Sequence, residues 1–179
     1  MKSHLLISIF LLSGFTAFSQ RYYGEWNLNS SGSYIMDGYG VNLGIQKALG
    51  YTFSSIRCDL IFSDIRKKLP DIKYHILTYA FEGVYTASLS KFNYHAFYFN
   101  PGIGFVVGIE QCKARFPKGI VQKYSTHFLG GLVLQIQAEI PLSKSISVYL
   151  QPNGYYRFSS LSDKFDFKAD FGVKIYFPR

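Results

Sequence analysis

The chain has 179 residues, enough for one domain, and a formal net charge of +8 at pH 7. Aromatic residues make up 18%, with 15 Tyr and 17 Phe against a single Trp, and Cys occurs only twice. Two cysteines exclude a disulfide-rich scaffold. The absence of any run of about 20 apolar residues after Gln20 excludes a helical membrane span.

The first segment, Met1–Ser19, carries Lys2 and then the apolar stretch Leu5–Leu12, broken only by Ser8. Ala17-Phe18-Ser19 places small residues at the −3 and −1 positions of a cleavage site. This predicts a secretory signal peptide over residues 1–19, cut before Gln20, with residues 20–179 forming a single domain. The apolar stretch is short for a span, and no Cys follows it to take a lipoprotein anchor. Loss of Lys2 lowers the charge from +8 to +7.

Apolar and polar residues then alternate with a period of two, which separates two faces of a strand and would scatter around a helix. Over Tyr22–Asn29, Tyr22, Trp26 and Leu28 oppose Tyr23, Glu25 and Asn27. Over Gly38–Lys47, Tyr39, Val41, Leu43 and Ile45 oppose Gly40, Asn42, Gly44 and Gln46. Over Tyr51–Ser63, Ile56, Cys58, Leu60 and Phe62 oppose Ser55, Arg57, Asp59 and Ile61. Over Lys73–Leu89, Leu77, Tyr79, Phe81 and Tyr85 oppose Thr78, Ala80, Glu82 and Thr86. Over Phe92–Glu110, Phe97, Phe99, Ile103, Phe105, Val107 and Ile109 oppose Tyr98, Asn100, Gly102, Gly104, Gly108 and Glu110. Over Ser125–Ile140, Phe128, Leu132, Leu134, Ile136 and Ile140 oppose His127, Gly131, Gln135, Gln137 and Glu139. Over Ser145–Ser159, Ile146, Val148, Leu150 and Tyr156 oppose Ser147, Gln151, Asn153 and Arg157. The last segment is the clearest: Phe165, Phe167, Ala169, Phe171, Val173, Ile175 and Phe177 alternate with Asp166, Lys168, Asp170, Gly172, Lys174 and Tyr176.

Eight segments are an even number, as bacterial membrane barrels require. Short turns are expected at Ala48-Leu49-Gly50, Ser90-Lys91 and Pro141–Lys144, and longer links at Ser30–Asp37, Asp64–Ile72, Gln111–Tyr124 and Ser160–Lys164. With a periplasmic N-terminus the three short turns share the periplasmic side. The predicted fold is all-β: an eight-stranded antiparallel transmembrane barrel of the outer-membrane type. Alternation does not by itself tell inside from outside, so a soluble β-sandwich or lipocalin-like barrel is the rival. Long strands, a polar face rich in Gly and Gln, and abundant aromatics favour lipid outside.

An eight-stranded lumen has room only for side chains. This parity sends Glu25, Asp59, Glu82, Glu110, Glu139, Asp166 and Asp170 inward with Arg57, Arg157, Lys168 and Lys174. Such charges must pair in so narrow a space, which makes them a polar plug rather than an acid–base site. No catalytic, cofactor-binding or metal-ligating set is assigned. Ser125 and His127 lie two apart at a strand end without a surrounding nucleophile motif. Gly102-Ile103-Gly104 and Gly108 sit inside a strand rather than in a phosphate loop. Cys58 is expected to face lipid and Cys112 to begin a loop two strands away. That is too far to bridge, so both are expected free. Arg66, Lys67, Lys68 and Lys73, then Lys113, Arg115, Lys118 and Lys123, make two outer links basic. They suit anionic headgroups such as lipopolysaccharide, or a polyanion; no direct nucleic-acid site is identified.

The segments Phe99-Asn100-Pro101-Gly102-Ile103-Gly104, Gly108-Ile109-Glu110 and Lys118-Gly119-Ile120 occur in that order. Phe128-Leu129-Gly130-Gly131, Gln137-Ala138-Glu139-Ile140-Pro141-Leu142-Ser143 and the closing Gly172–Phe177 stretch follow them. Together with a leader ending at Gln20, they resemble the conjugal transfer protein TraO family of conjugative transposons. The resemblance implies a cell-surface, outer-membrane component of a mating apparatus that contacts other apparatus proteins and brings no catalytic residues. A lipid-modifying barrel enzyme, deacylase-like or lipase-like, is the alternative.

Processing before Gln20 has a direct readout. Intact-mass measurement of protein extracted from membranes should give a chain starting at Gln20, and a mass retaining Met1–Ser19 refutes the leader.

Overall fold

In a lipid layer the backbone finds no water, so every strand edge must be paired. The computed structural model meets this by closure. It describes residues 25–49, 54–69, 72–87, 89, 97–115, 123–143, 145–161 and 163–177. The leader and Tyr22–Gly24 lie outside these residues. The strands are β1 (Trp26–Ile35), β2 (Gly38–Leu49), β3 (Ser54–Leu69), β4 (Ile72–Thr86), β5 (Tyr98–Arg115), β6 (Lys123–Pro141), β7 (Ile146–Ser159) and β8 (Phe165–Phe177). Each pairs antiparallel with its neighbours in sequence, and β1 pairs with β8 from Trp26↔Phe177 to Ile35↔Lys168 to close the barrel.

The two faces fall as the alternation requires. Leu43, Leu60, Phe105, Leu134, Leu150 and Phe171 point out, and Phe171 is 65% exposed. Lys174, three residues on, is 0% exposed inside the lumen. Apolar outside and charged inside is the inverse of a soluble barrel, so the sandwich or lipocalin-like alternative falls.

The expected long links are largely strand. Ser30–Ile35 belongs to β1, leaving only Met36-Asp37 as a turn. Asp64–Leu69 extends β3, Ile72 already belongs to β4, and Gln111–Arg115 extends β5. The alternation in loop length therefore fails: at this end two connections are two residues long, while the β4–β5 connection at the termini end spans 87–97. These hairpins rise because each outer segment keeps a partner in the ladder, as Lys73↔Arg115 shows. The turn expected at Ala48-Leu49-Gly50 is strand through Leu49, because Ala48 and Leu49 pair with Ser55 and Ser54 on β3. Gly50 and the Ser90-Lys91 turn lie outside the described residues, and the turn expected at Pro141–Lys144 begins where β6 ends, at Pro141. The Ser160–Lys164 link is also a connection, between β7 and β8.

Two local devices shape the far end. At the β1–β2 turn Asp37 adopts φ 67°; Asp tolerates this left-handed conformation better than most residues. Its carbonyl accepts the Arg66 amide at 2.9 Å, which ties the short hairpin to the rising β3. Between β6 and β7 the register steps from Gly131↔Arg157 to Gly130↔Ser159, so Phe158 is an inserted residue. Such a bulge sharpens the local twist and sets Phe158 edge-on to Tyr156, centroids 5.4 Å apart.

Depth in the bilayer should govern the cost of a charge on β8. Phe171→Arg, at mid-strand, should destabilise the barrel by about 2–4 kcal/mol, and Phe165→Arg, at the strand's end, by about 0–1 kcal/mol. Denaturant unfolding in vesicles measures both, and equal costs would contradict the placement.

Candidate functional site

Residues two apart on a strand share a face, so Arg57 and Asp59 of β3 both enter the lumen. Arg57 is fully enclosed. Its Nε lies 2.5 Å from Asp59 Oδ2, and its Nη2 lies 3.0 Å from Glu82 Oε1 on β4. The same Nη2 donates to Gln135 Oε1 on β6 at 2.7 Å, and Nη1 donates to Gln151 Oε1 on β7. Asn29 Nδ2 on β1 donates to Asp59 at 2.9 Å, and the Tyr155 hydroxyl donates to Glu82 at 2.6 Å. One guanidinium thus ties five strands through a single shell of acceptors, which suits its planar, forked donors.

Three further clusters fill other levels. Towards the termini, Lys174 Nζ is 2.8 Å from Glu139 and donates to Gln137 Oε1 at 2.6 Å. Lys168 pairs with Asp170 at 3.3 Å, and Asn153 Nδ2 donates to Asp170 at 2.7 Å. Towards the far end, Arg157 sits 2.8 Å from Asp166 and 3.3 Å from Glu110. An apolar group of Ile61, Ala80, Val84, Val106, Leu129, Val133 and Tyr155 occupies the lumen among them. The alternation pointed to the charges. It missed most of this apolar group, because an inward Val or Leu looks the same in sequence as an outward one.

Glu110 organises the mouth. It is 0% exposed and accepts from Ser160 Oγ at 2.9 Å and from the Leu161 amide at 2.6 Å. Leu161 then packs on Ile35, Ile65, Ile76 and Cys112. Lys67 Nζ meets Asp163 at 2.5 Å. These contacts draw the β7–β8 connection inward over the lumen. No sequence motif marked Ser160 or Leu161; their partners lie some fifty residues away in the chain.

The residues singled out from sequence fare differently. Ser125 is half-buried and His127 exposed. Glu110 stands opposite His127 in the ladder, but its carboxylate is held by Arg157, Ser160 and Leu161. The interior carboxylates of Asp59, Glu82, Glu110, Glu139 and Asp170 are all buried. Among the described residues no three His, Cys, Asp or Glu side chains form a metal-ligating group. Both cysteines are free. Cys112 lies inside β5 facing inward rather than at the start of a loop, because β5 runs on past it to Arg115.

The basic residues are strand residues rather than loop residues, for the same reason. Arg66 pairs with Asp64 at 3.0 Å, whose other oxygen meets His75 Nε2 at 2.8 Å. Lys113 Nζ lies 5.3 Å from the Tyr124 ring centroid. Lys118 falls outside the described residues. Surface pairs of this kind contribute little to stability, but they occupy cations that a polyanion would need.

No protein-family model matches the chain, and no curated protein matches it. Solved structures do. A major outer membrane protein from Thermus thermophilus superposes with TM-score 0.73 at 12% identity, over 87% of this chain and 100% of that one. Ail, the attachment invasion locus protein of Yersinia pestis, gives 0.59 at 9% identity over 87% and 100%. The N-terminal β-barrel domain of Pseudomonas aeruginosa OprF gives 0.55 at 9% over 88% and 100%. At these identities the likeness speaks for the fold. Together with the inside-out wall, it makes the chain an eight-stranded β-barrel of the bacterial outer membrane.

Arg57 should be the interior's most sensitive position. Arg57→Ala leaves Asp59 and Glu82 buried without their cation and should cost about 3–5 kcal/mol in denaturant unfolding. Arg57→Met combined with Asp59→Asn and Glu82→Gln should recover much of that loss. No recovery would mean that packing, and not charge, dominates.

Proposed function

We propose that this barrel is a non-enzymatic component of the cell surface that acts through its outer wall and far-end hairpins, within a conjugative DNA-transfer apparatus. The observation that carries the first half is the interior. Its carboxylates and cations are buried and spent on one another, so no substrate meets a reactive pair there, and side chains fill the space a solute would need. Chemistry and conduction through the lumen are both disfavoured, which leaves surfaces as the means of action.

The second half rests on the TraO-like segments. Most of them fall on β5, β6 and β8: Phe99–Gly104 and Gly108–Glu110 on β5, Phe128–Gly131 and Gln137–Pro141 on β6 with Leu142-Ser143 just beyond it, and Gly172–Phe177 on β8. Lys118-Gly119-Ile120 lies outside the described residues. β5 and β6 share the barrel's longest pairing, from Tyr98↔Glu139 to Ala114↔Lys123. They offer other apparatus proteins a continuous stretch of wall, while lipid and lipopolysaccharide surround the rest.

Deleting the gene should lower DNA transfer from donor cells without changing growth or lipid A composition. Ser125→Ala with His127→Ala should leave transfer intact. A mating assay run beside lipid A mass spectrometry decides between this reading and a lipid-modifying enzyme: an altered acyl pattern with normal transfer would select the enzyme.

A further inference from the structure

The outer wall has a furrow at Gly154. This glycine faces outward from β7, and an added methyl would touch nothing within 4 Å. Its ladder neighbours are Leu134 on β6 and Phe167 on β8, which stand 62% and 61% exposed. A missing side chain between two tall ones leaves a trough, and Tyr156, one row further on, bounds it. The cavity of which this trough is part, lined also by Ile103, by the enclosed Ile65 and Tyr155 and by residues of the rim, measures about 560 Å³, within the roughly 300–1,000 Å³ of small-molecule sites.

The furrow leads to a notch in the rim. The β1–β2 hairpin stops at Met36-Asp37, whereas β3 rises to Leu69 and β8 begins at Phe165. Ile35 pairs with Lys168, so Met36 sits beside Phe167, across the β8 flank of the furrow, and the same cavity takes in both. Lys67 of β3 reaches Asp163 across this notch at 2.5 Å. One cavity therefore has an apolar length on the lipid-facing wall and an ionic end at the rim.

We propose that this furrow is a binding site for one acyl chain of a membrane lipid, with the lipid's polar head at the Lys67–Asp163 end. The wall is continuous with the hydrocarbon layer, so a lipid chain reaches the furrow without crossing water. A trough one side chain wide, with aliphatic and aromatic flanks, matches a chain of methylenes better than the curved wall of a second copy. The polarity runs the right way for a zwitterionic head: apolar side chains line the wall, and the charged end sets Lys67 among the carboxylates of Asp37, Asp163 and Asp166.

Gly154→Phe puts a ring into the furrow, and its Cβ meets nothing within 4 Å. Gly32→Phe is its control, since Gly32 also faces outward on β1 with nothing within 4 Å and does not line the furrow. Native mass spectrometry of the folded barrel, titrated with phosphatidylcholine in detergent micelles, should show one retained lipid on the wild type and on Gly32→Phe. Gly154→Phe should bind it about tenfold more weakly or worse, a loss of about 1.4 kcal/mol. Equal retention by all three proteins, or an adduct with the mass of a second chain, overturns the proposal. A second measurement does not depend on Gly154→Phe folding. In a Trp26→Phe background, Phe167→Trp in vesicles of mixed dibrominated and plain phosphatidylcholine should be quenched at a lower brominated fraction than Phe171→Trp. Identical quenching curves would likewise overturn it.

Discussion

A backbone crossing hydrocarbon cannot leave a strand edge unpaired, and the rest of this molecule follows from that constraint. Closure of β1 on β8 removes the last edge. Once closed, the wall has one face towards lipid and one towards a narrow lumen, and the period of two in the strands sorts side chains between them. A register slip by one residue at any pair would turn Lys174 or Arg57 into the membrane and Phe171 into the lumen. The large penalty for a charge facing lipid is therefore also what fixes the register.

The interior responds to the same closure. Charges turned away from lipid enter a space too narrow for bulk water and must find each other. Arg57 does so with Asp59 and Glu82, Lys174 with Glu139, and Arg157 with Glu110 and Asp166. Each cluster joins strands distant in sequence, as the Arg57–Gln151 contact across 94 residues illustrates. Buried ion pairs of this kind add little net stability compared with a well-packed apolar core. Their value lies in specifying which strands face one another across the lumen.

Unequal hairpin heights give the barrel a low side and a high side. The short β1–β2 hairpin stops below its neighbours, and the β7–β8 connection leans inward, anchored by Glu110 and Lys67. The mouth is thus covered by the β7–β8 connection and notched right beside it, at the β1–β2 hairpin. At this end Arg66, Lys67 and Lys113 engage Asp64, Asp163 and Tyr124.

Sequence alone determined the strand count, the antiparallel barrel class and the face of each alternating residue, because a period of two is written locally and each polar–apolar pair repeats it. The same logic placed all eleven interior charges. It failed wherever the answer depended on a distant partner. Polar, basic stretches such as Asp64–Lys68 look like loops, yet they stay in strand because neighbouring strands supply hydrogen bonds that no local pattern encodes. Cys112 moved into the lumen wall for that reason. The pairing of Arg57, the anchoring of Ser160 and Leu161 by Glu110, and the furrow at Gly154 were decided by the tertiary structure alone. Each is a contact, or a gap, between residues that only closure of the barrel brings side by side.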